Sequence, residues 1–184
     1  GNGLGKAYAP ELGNRGAKVV VNDLGGSVDG SGSASSPADE VANEIIENGG
    51  EAVANYDSVA TKEGGESIVQ SAIDNFGTVD AVINNAGILR DKSFANMSEE
   101  ELSLIIDVHL KGTFFVSQPA FKVMKEKNYG RIVNVASPSG LFGNFGQSNY
   151  GAAKMGIVGL TNVLAIEGAK YNICLLYTSP SPRD

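Results

Sequence analysis

The sequence predicts an α/β fold, a parallel sheet doubly wound by helices on both faces. Three observations predict it. Short apolar runs with β-branched centres recur along the chain. Stretches with apolar residues at helical spacing separate them. Glycine-containing turns close several of these segments.

The elements follow in order. "GNGLGKAYAP" is a glycine-rich turn running into a helix, and no strand stands before it. "AKVVVND", residues 17–23, is a buried strand, followed by the polar loop "GGSVDGSGSASSP". "ADEVANEIIENGG" carries Val41, Ile45 and Ile46 at helical spacing and stops at glycines. "EAVANYD" is the second strand. "EGGESIVQSAIDNFG" places Ile68, Val69, Ala72, Ile73 and Phe76 on one helical face, and "VDAVINNAG" is a third strand ending in a turn. Ser98 and the acidic residues after it suit a helix start. Pro119 is expected to kink or break that helix late. "GRIVNVAS" is the fourth strand, and "SNYGAAKMGIVGLTNVLAIEGAK" is a long helix whose small residues imply close packing. There is no internal repeat, and the Gly/Ser loop reads as a surface loop inside one domain.

The tail "CLLYTSPSPRD", residues 174–184, breaks the pattern. It reads as the translation of a sequencing-library adapter, or else as a Ser/Pro-rich natural tail. The expected domain is therefore 1–173, truncated at both ends, with the first strand and the C-terminal strands missing.

The chain has 184 residues and 42% hydrophobic content, enough for one domain with a sizeable core. A net charge of −7 argues against a general nucleic-acid binder. No apolar run is long enough for a membrane span. Cys174 and His109 are the only cysteine and histidine, which excludes an internal disulfide and a Cys/His zinc site.

Four motifs carry chemistry. The glycines of "GNGLG" let backbone N–H groups at a helix start approach a pyrophosphate. Asp23 ends the next strand, where a carboxylate can take both hydroxyls of an adenosine ribose and repel a 2′-phosphate; NAD rather than NADP is the expected cofactor. "NNAG", residues 84–87, ends a parallel strand at the ligand-binding edge, although Asn and Gly are also ordinary turn residues. Tyr150 and Lys154 are four apart on a helix and share a face, with Ser137 thirteen residues before Tyr150. A phenol is a poor base at neutral pH, and a nearby ammonium stabilises its phenolate. Alone, each motif has a bland reading: a frayed terminus, a capping carboxylate, a turn, a surface pair.

Together, in this order and spacing, they resemble the short-chain dehydrogenase/reductase family, over residues 1–173. The strings "VVVNDLGG", "ANYDSV", "NNAGILRDKSFA", "VHLKGTF", "GNFGQSNY" and "LAIEG" are similar to the family's (3R)-hydroxyacyl-CoA dehydrogenase branch, found in multifunctional enzymes of fatty-acid β-oxidation. The resemblance implies a Rossmann-like sheet and oxidation of a (3R)-3-hydroxyacyl thioester to the 3-oxoacyl thioester with NAD⁺. It makes Tyr150 the acid/base. Lys154 stabilises the phenolate and holds the nicotinamide ribose, and Ser137 orients the substrate hydroxyl. Gly3, Leu4 and Gly5 take the pyrophosphate and Asp23 the ribose. Asp57 and Ser58 lie near the adenine, and Asn85, Ala86 and Gly87 lie along the adenosine ribose. His109 stands where much of the family has an asparagine on the proton relay. It either serves the relay or is a structural residue. No metal is implied.

Alternatives within the family act on a carrier-protein thioester, a steroid or another hydroxy or keto substrate. A non-catalytic nucleotide-binding relative is the alternative outside enzymes. The resemblance also implies a homodimer or homotetramer through the helices beginning at Ser98 and Tyr150, in a bacterial cytosol or a peroxisome. The chain as it stands, without a complete first turn, is expected to bind NAD poorly and turn nothing over.

Overall fold

The computed structural model describes residues 1–26 and 36–178. Most of the Gly/Ser loop and residues 179–184 of the tail lie outside the described residues.

Helix α1 (Gly3–Asn14) leads into β1 (Lys18–Asn22), α2 (Ser36–Glu47), β2 (Glu51–Asn55), α3 (Lys62–Phe76) and β3 (Ala81–Asn84). After a 3₁₀ turn at Phe94–Asn96 come α4 (Glu99–Ile105), a π-helical stretch (Ile106–Lys111) and α5 (Gly112–Glu126). β4 (Gly130–Val135), the short α6 (Pro138–Phe142), α7 (Ser148–Gly168) and β5 (Ile173–Thr178) complete the described chain.

All strand pairs are parallel. β1 pairs with β2, and β3–β4–β5 form a second group not hydrogen-bonded to the first. In the doubly wound order the pattern's first strand lies between its second and fourth. That is where β1 and β3 part.

Alternation along β1 shows why both faces need helices. Val19 and Val21 pack with Val41 and Ile45 of α2 and Ala9 of α1, while Val20 turns to the side of Val69 on α3. α5 joins that second side through Val116, Ala120 and Met124, against Val82 and Ile132. α7 lies on the same side, where Thr161 bonds Asn134 of β4. The opposite face of β3–β5 presents Ile83 and Leu176 to solvent.

One expectation needs correction in part, that Pro119 kinks or breaks its helix. Pro119 does not end its helix, which runs on to Glu126. The disturbance lies earlier, in the π-helical stretch. Pro119 removes the N–H that would bond Phe115 O. Gly65 of α3 packs against that carbonyl so closely that a Cβ would lie 2.5 Å away, so neighbouring packing holds the helix there. Residues 174–178 of the tail lie in β5, beside β4. Strand pairing is a backbone interaction, and Cys174, Leu176 and Tyr177 are exposed, so the pairing places few demands on sequence.

Candidate active site and dinucleotide crevice

The C-terminal ends of parallel strands are where such sheets take ligands, and the expected residues gather there. Gly3 has φ +52°, the left-handed region that glycine adopts freely, and opens α1. A Cβ on Gly5 would lie 3.2 Å from Asn85 Nδ2, so the glycine turn abuts the "NNAG" segment. Asp23 follows β1 directly. Its Oδ1 accepts the Gly25 N–H at 2.7 Å, and its Oδ2 is 2.7 Å from the Gly1 amino group. The first turn of a 12-residue helix, an open glycine at Gly3 and a carboxylate therefore share one end of the sheet. This set fits the diphosphate and ribose of a dinucleotide.

Asp57 and Ser58 follow β2. Asp57 Oδ2 accepts from Asn55 Nδ2 at 2.9 Å and Ser67 Oγ at 2.7 Å, and Ser58 Oγ accepts the Ala60 N–H at 3.2 Å. Asn85, Ala86 and Gly87 follow β3. A Cβ on Gly87 would lie 2.5 Å from His109 Cε1, so a larger residue there collides with that ring.

His109 lies in the π-helical stretch, a distortion often found at functional sites. Only 3% of it is exposed. Its Nε2 is 2.8 Å from Ile88 O and 3.1 Å from Ile88 N, so one tautomer donates to the loop after β3 and the other accepts from it. Nδ1 has no partner among the described residues. Burial, then the Lys154 charge, pushes its pKa down to about 4 against the pull of the Ile88 bond, so the ring is neutral at pH 7.

The His109 and Tyr150 rings meet in a T-shaped pair, with centroids 5.1 Å apart and planes at 88°. Lys154 Nζ sits 5.6 Å from the Tyr150 ring centroid and donates to Val135 O at 2.6 Å. Burial lowers its pKa to about 8, which leaves it mostly cationic at neutral pH. Ser137, two residues past Val135, is buried, and its Oγ caps α6 by accepting the Ser139 N–H at 3.2 Å. Tyr150, Lys154, Ser137 and His109 thus belong to one region, around the end of β4 and the start of α7.

The sequence reading missed the groups that hold these residues in place. Asn149 is 1% exposed and ties three segments together: its Nδ2 donates to Arg90 O and Glu101 O, each at 3.0 Å, and its Oδ1 accepts the Tyr150 N–H at 2.7 Å. Gln147 links Ser139 and Asp91 at 2.7 and 2.9 Å. Asparagines near the strand ends form two side-chain pairs, Asn22 with Asn55 and Asn84 with Asn134, both at 2.8 Å.

A match to the family described as short chain dehydrogenase extends over residues 1–183. The chain belongs to that family. Its members use nicotinamide dinucleotides, which agrees with the glycine and carboxylate geometry. The peroxisomal hydratase-dehydrogenase-epimerase of Saccharomyces cerevisiae is 58% identical over 183 residues, all of this chain and 20% of that protein. The mouse peroxisomal multifunctional enzyme type 2 is 57% identical over 173 residues, 94% of this chain and 23% of that one. This short-chain dehydrogenase therefore spans about a fifth of the length of each. A short chain dehydrogenase structure from Mycobacterium avium matches with TM-score 0.91 and 44% identity, over 98% of this chain and 64% of that one. An NAD⁺-bound xylitol dehydrogenase matches with TM-score 0.88 and 28% identity, over 96% and 65%. Among the described residues no helix is long and apolar enough to cross a membrane, and no group of three or more His, Cys, Asp or Glu side chains is placed to hold a metal.

Proposed function

We propose that this segment is the catalytic part of an NAD-dependent oxidoreductase that converts a (3R)-3-hydroxyacyl-CoA to the 3-oxoacyl-CoA in fatty-acid β-oxidation. The observation that carries the dehydrogenase reading is the convergence of Tyr150, Lys154 and Ser137 at the end of β4, beside the crevice that Gly3, Gly5, Asp23 and Asn85 line. The substrate class rests on the likeness to the peroxisomal enzymes.

The chemistry supplied by bound NAD⁺ is acceptance of hydride from the carbon bearing the hydroxyl. The chain's own groups manage the proton and the geometry. Ser137 Oγ hydrogen-bonds the substrate oxygen and holds it toward Tyr150. The Tyr150 phenolate takes the hydroxyl proton as the carbonyl forms. Lys154 holds positive charge beside the ring and donates to the nicotinamide ribose, while its bond to Val135 O fixes the ammonium. His109 acts here as a neutral wedge. It fixes the loop carrying Asn85, Ala86 and Gly87 through Ile88 and packs T-shaped against the Tyr150 ring, with Nδ1 left to meet a water on the proton path.

Gly3, Leu4 and Gly5 would cradle the pyrophosphate, Asp23 would bind the adenosine ribose with Asn85, Ala86 and Gly87 along it, and Asp57 and Ser58 would lie near the adenine. Asp23 also selects NAD over NADP. At ~4 Å and an effective dielectric of ~20, one carboxylate repels one phosphate charge by about 4 kcal/mol before screening. Exposed Leu102 on α4 and Met155 and Val163 on α7 support self-association through these helices. The likeness to peroxisomal proteins supports a peroxisomal setting in a eukaryote.

The test is a substrate and cofactor panel. The 173 residues of this chain that match the mouse relative replace their counterparts in it. NADH absorbance is followed with (3R)- and (3S)-3-hydroxyacyl-CoA, a 3-hydroxyacyl carrier protein and a hydroxysteroid, each with NAD⁺ or NADP⁺. The (3R)-acyl-CoA with NAD⁺ is expected to be the fastest pair. A faster steroid or carrier-protein reaction overturns the substrate, and a faster NADP⁺ reaction overturns the cofactor.

A further inference from the structure

Two amide side chains, Gln147 and Asn149, lie in sequence between Ser137 and Tyr150 and share one pattern of bonding. Each gives an N–H to the segment that follows β3 and offers its oxygen to a group beside the reaction centre. Gln147 Nε2 donates to Asp91 Oδ2 at 2.9 Å, while its Oε1 accepts Ser139 Oγ at 2.7 Å. The Ser139 N–H in turn donates to Ser137 Oγ at 3.2 Å. Asn149 Nδ2 donates to Arg90 O at 3.0 Å, while its Oδ1 accepts the Tyr150 N–H at 2.7 Å. A backbone bond completes the joint, from the Lys92 N–H to Gly146 O at 2.8 Å. Three successive residues, Arg90, Asp91 and Lys92, are thus tied to the stretch between Ser137 and Tyr150. Their segment also carries Asn85, Ala86 and Gly87, and His109 holds it at Ile88.

We infer that Gln147 and Asn149 are positioning residues that register Ser137 and Tyr150 against the segment following β3, so that substrate oxygen and cofactor are held in one frame. The inference rests on the dehydrogenase reading above and is independent of which substrate is oxidised. Hydride leaves the carbon and the proton leaves the oxygen bonded to it, so Ser137 and Tyr150 must be placed relative to the dinucleotide as well as to each other. Helix α7 sets Tyr150 against Lys154 by its own spacing; the two amides carry the link across to the chain after β3. An amide suits this because it has a donor and an acceptor at fixed positions on one plane. A misplacement of about 1 Å costs on the order of 100-fold in rate. Asp91 is exposed and Gln147 partly so, so substitution there breaks the link without opening the core, and buried Asn149 is left intact.

The experiment uses the graft of the matched residues in the mouse relative, with whichever substrate of the panel the unmutated graft oxidises. The kcat and the number and affinity of NADH sites are measured for Asp91→Ala, Gln147→Glu and the double variant Asp91→Asn/Gln147→Glu. Gln147→Glu keeps the acceptor for Ser139 but sets a carboxylate against Asp91. It should lower kcat by about tenfold or more, with NADH sites and affinity unchanged. Asp91→Ala removes the link without repulsion and should lower kcat several-fold. The double variant exchanges donor and acceptor across the link and should recover at least half of the parental kcat. Parental kcat in Gln147→Glu or Asp91→Ala, a double variant no faster than Gln147→Glu, or a fall in kcat matched by a loss of NADH sites overturns the link while the dehydrogenase reading stands. An unmutated graft that oxidises no substrate of the panel overturns the dehydrogenase reading and the link with it.

Discussion

His109 is the chain's only histidine, so its titration can be followed without a background. The perturbation is a fall in pH. In the unfolded chain the imidazole titrates near 6.5; in the native state burial and the Lys154 ammonium hold it at about 4. Above pH 6.5 the ring is neutral in both states and contributes no pH dependence. Between 6.5 and 4 the unfolded chain binds a proton that the native site refuses, so stability falls as pH falls. Below 4 both forms are charged and the effect levels off. The full depression corresponds to about 3 kcal/mol at 1.36 kcal/mol per pH unit, and the interval from 6.5 to 5.0 to about 2 kcal/mol. Most carboxylates titrate below that interval. Glu101, held low by the Ser98 N–H, loses its contribution only on further acidification. The assay is urea denaturation at pH 7.0, 6.0 and 5.0, with the His109 Cε1 proton resonance recorded in parallel. The wild-type midpoint should drop across the series and that of His109→Gln should stay nearly level. A native resonance titrating near pH 6.5, or the same drop in His109→Gln, refutes the account of a buried neutral ring.

Two other perturbations follow from the same region. Gly87→Ala should destabilise by about 1–3 kcal/mol in urea, because its Cβ would lie 2.5 Å from His109 Cε1; combined with His109→Ser, which removes the obstructing ring, the cost should fall below the sum of the singles. Asp23→Ser should raise the affinity for NADPH relative to NADH, by removing the charge that opposes the 2′-phosphate, as read by NMR titration.

The first four strands and the buried faces of α2 and α3, exposed Ile46 apart, were legible because burial imposes period: Val19 and Val21 go to one side and Val20 to the other. The clustering of Tyr150, Lys154 and Ser137 was legible because helical spacing and a strand end fix where they sit. What escaped was of three kinds. Pro119 carries a strong local rule, and the packing of Gly65 against Phe115 overrides it; no local pattern reveals that contact. The strand-end asparagines, by contrast, stood in plain view. "VVVN", "AVAN", "VIN" and "IVN" place a short amide near the end of four apolar runs, and in parallel register these must meet: Asn22 with Asn55, and Asn84 with Asn134. An amide buried in a sheet demands a partner, and neighbouring strands supply it. Asn149 was hidden differently. Its partners, Arg90 and Glu101, lie far back in the sequence, so only the fold discloses that it fixes the start of the Tyr150 helix.

The most direct measurement of the central claim is NADH formation from (3R)-3-hydroxyacyl-CoA and NAD⁺ by the mouse-relative graft carrying the matched 173 residues, beside its Tyr150→Phe variant. The account predicts steady NADH production by the graft and a loss of at least 100-fold in kcat for the variant (on the order of the general acid–base contribution), with NADH affinity retained. A Tyr150→Phe graft as active as its parent, or a folded graft that binds NADH and oxidises no 3-hydroxyacyl thioester, would contradict it.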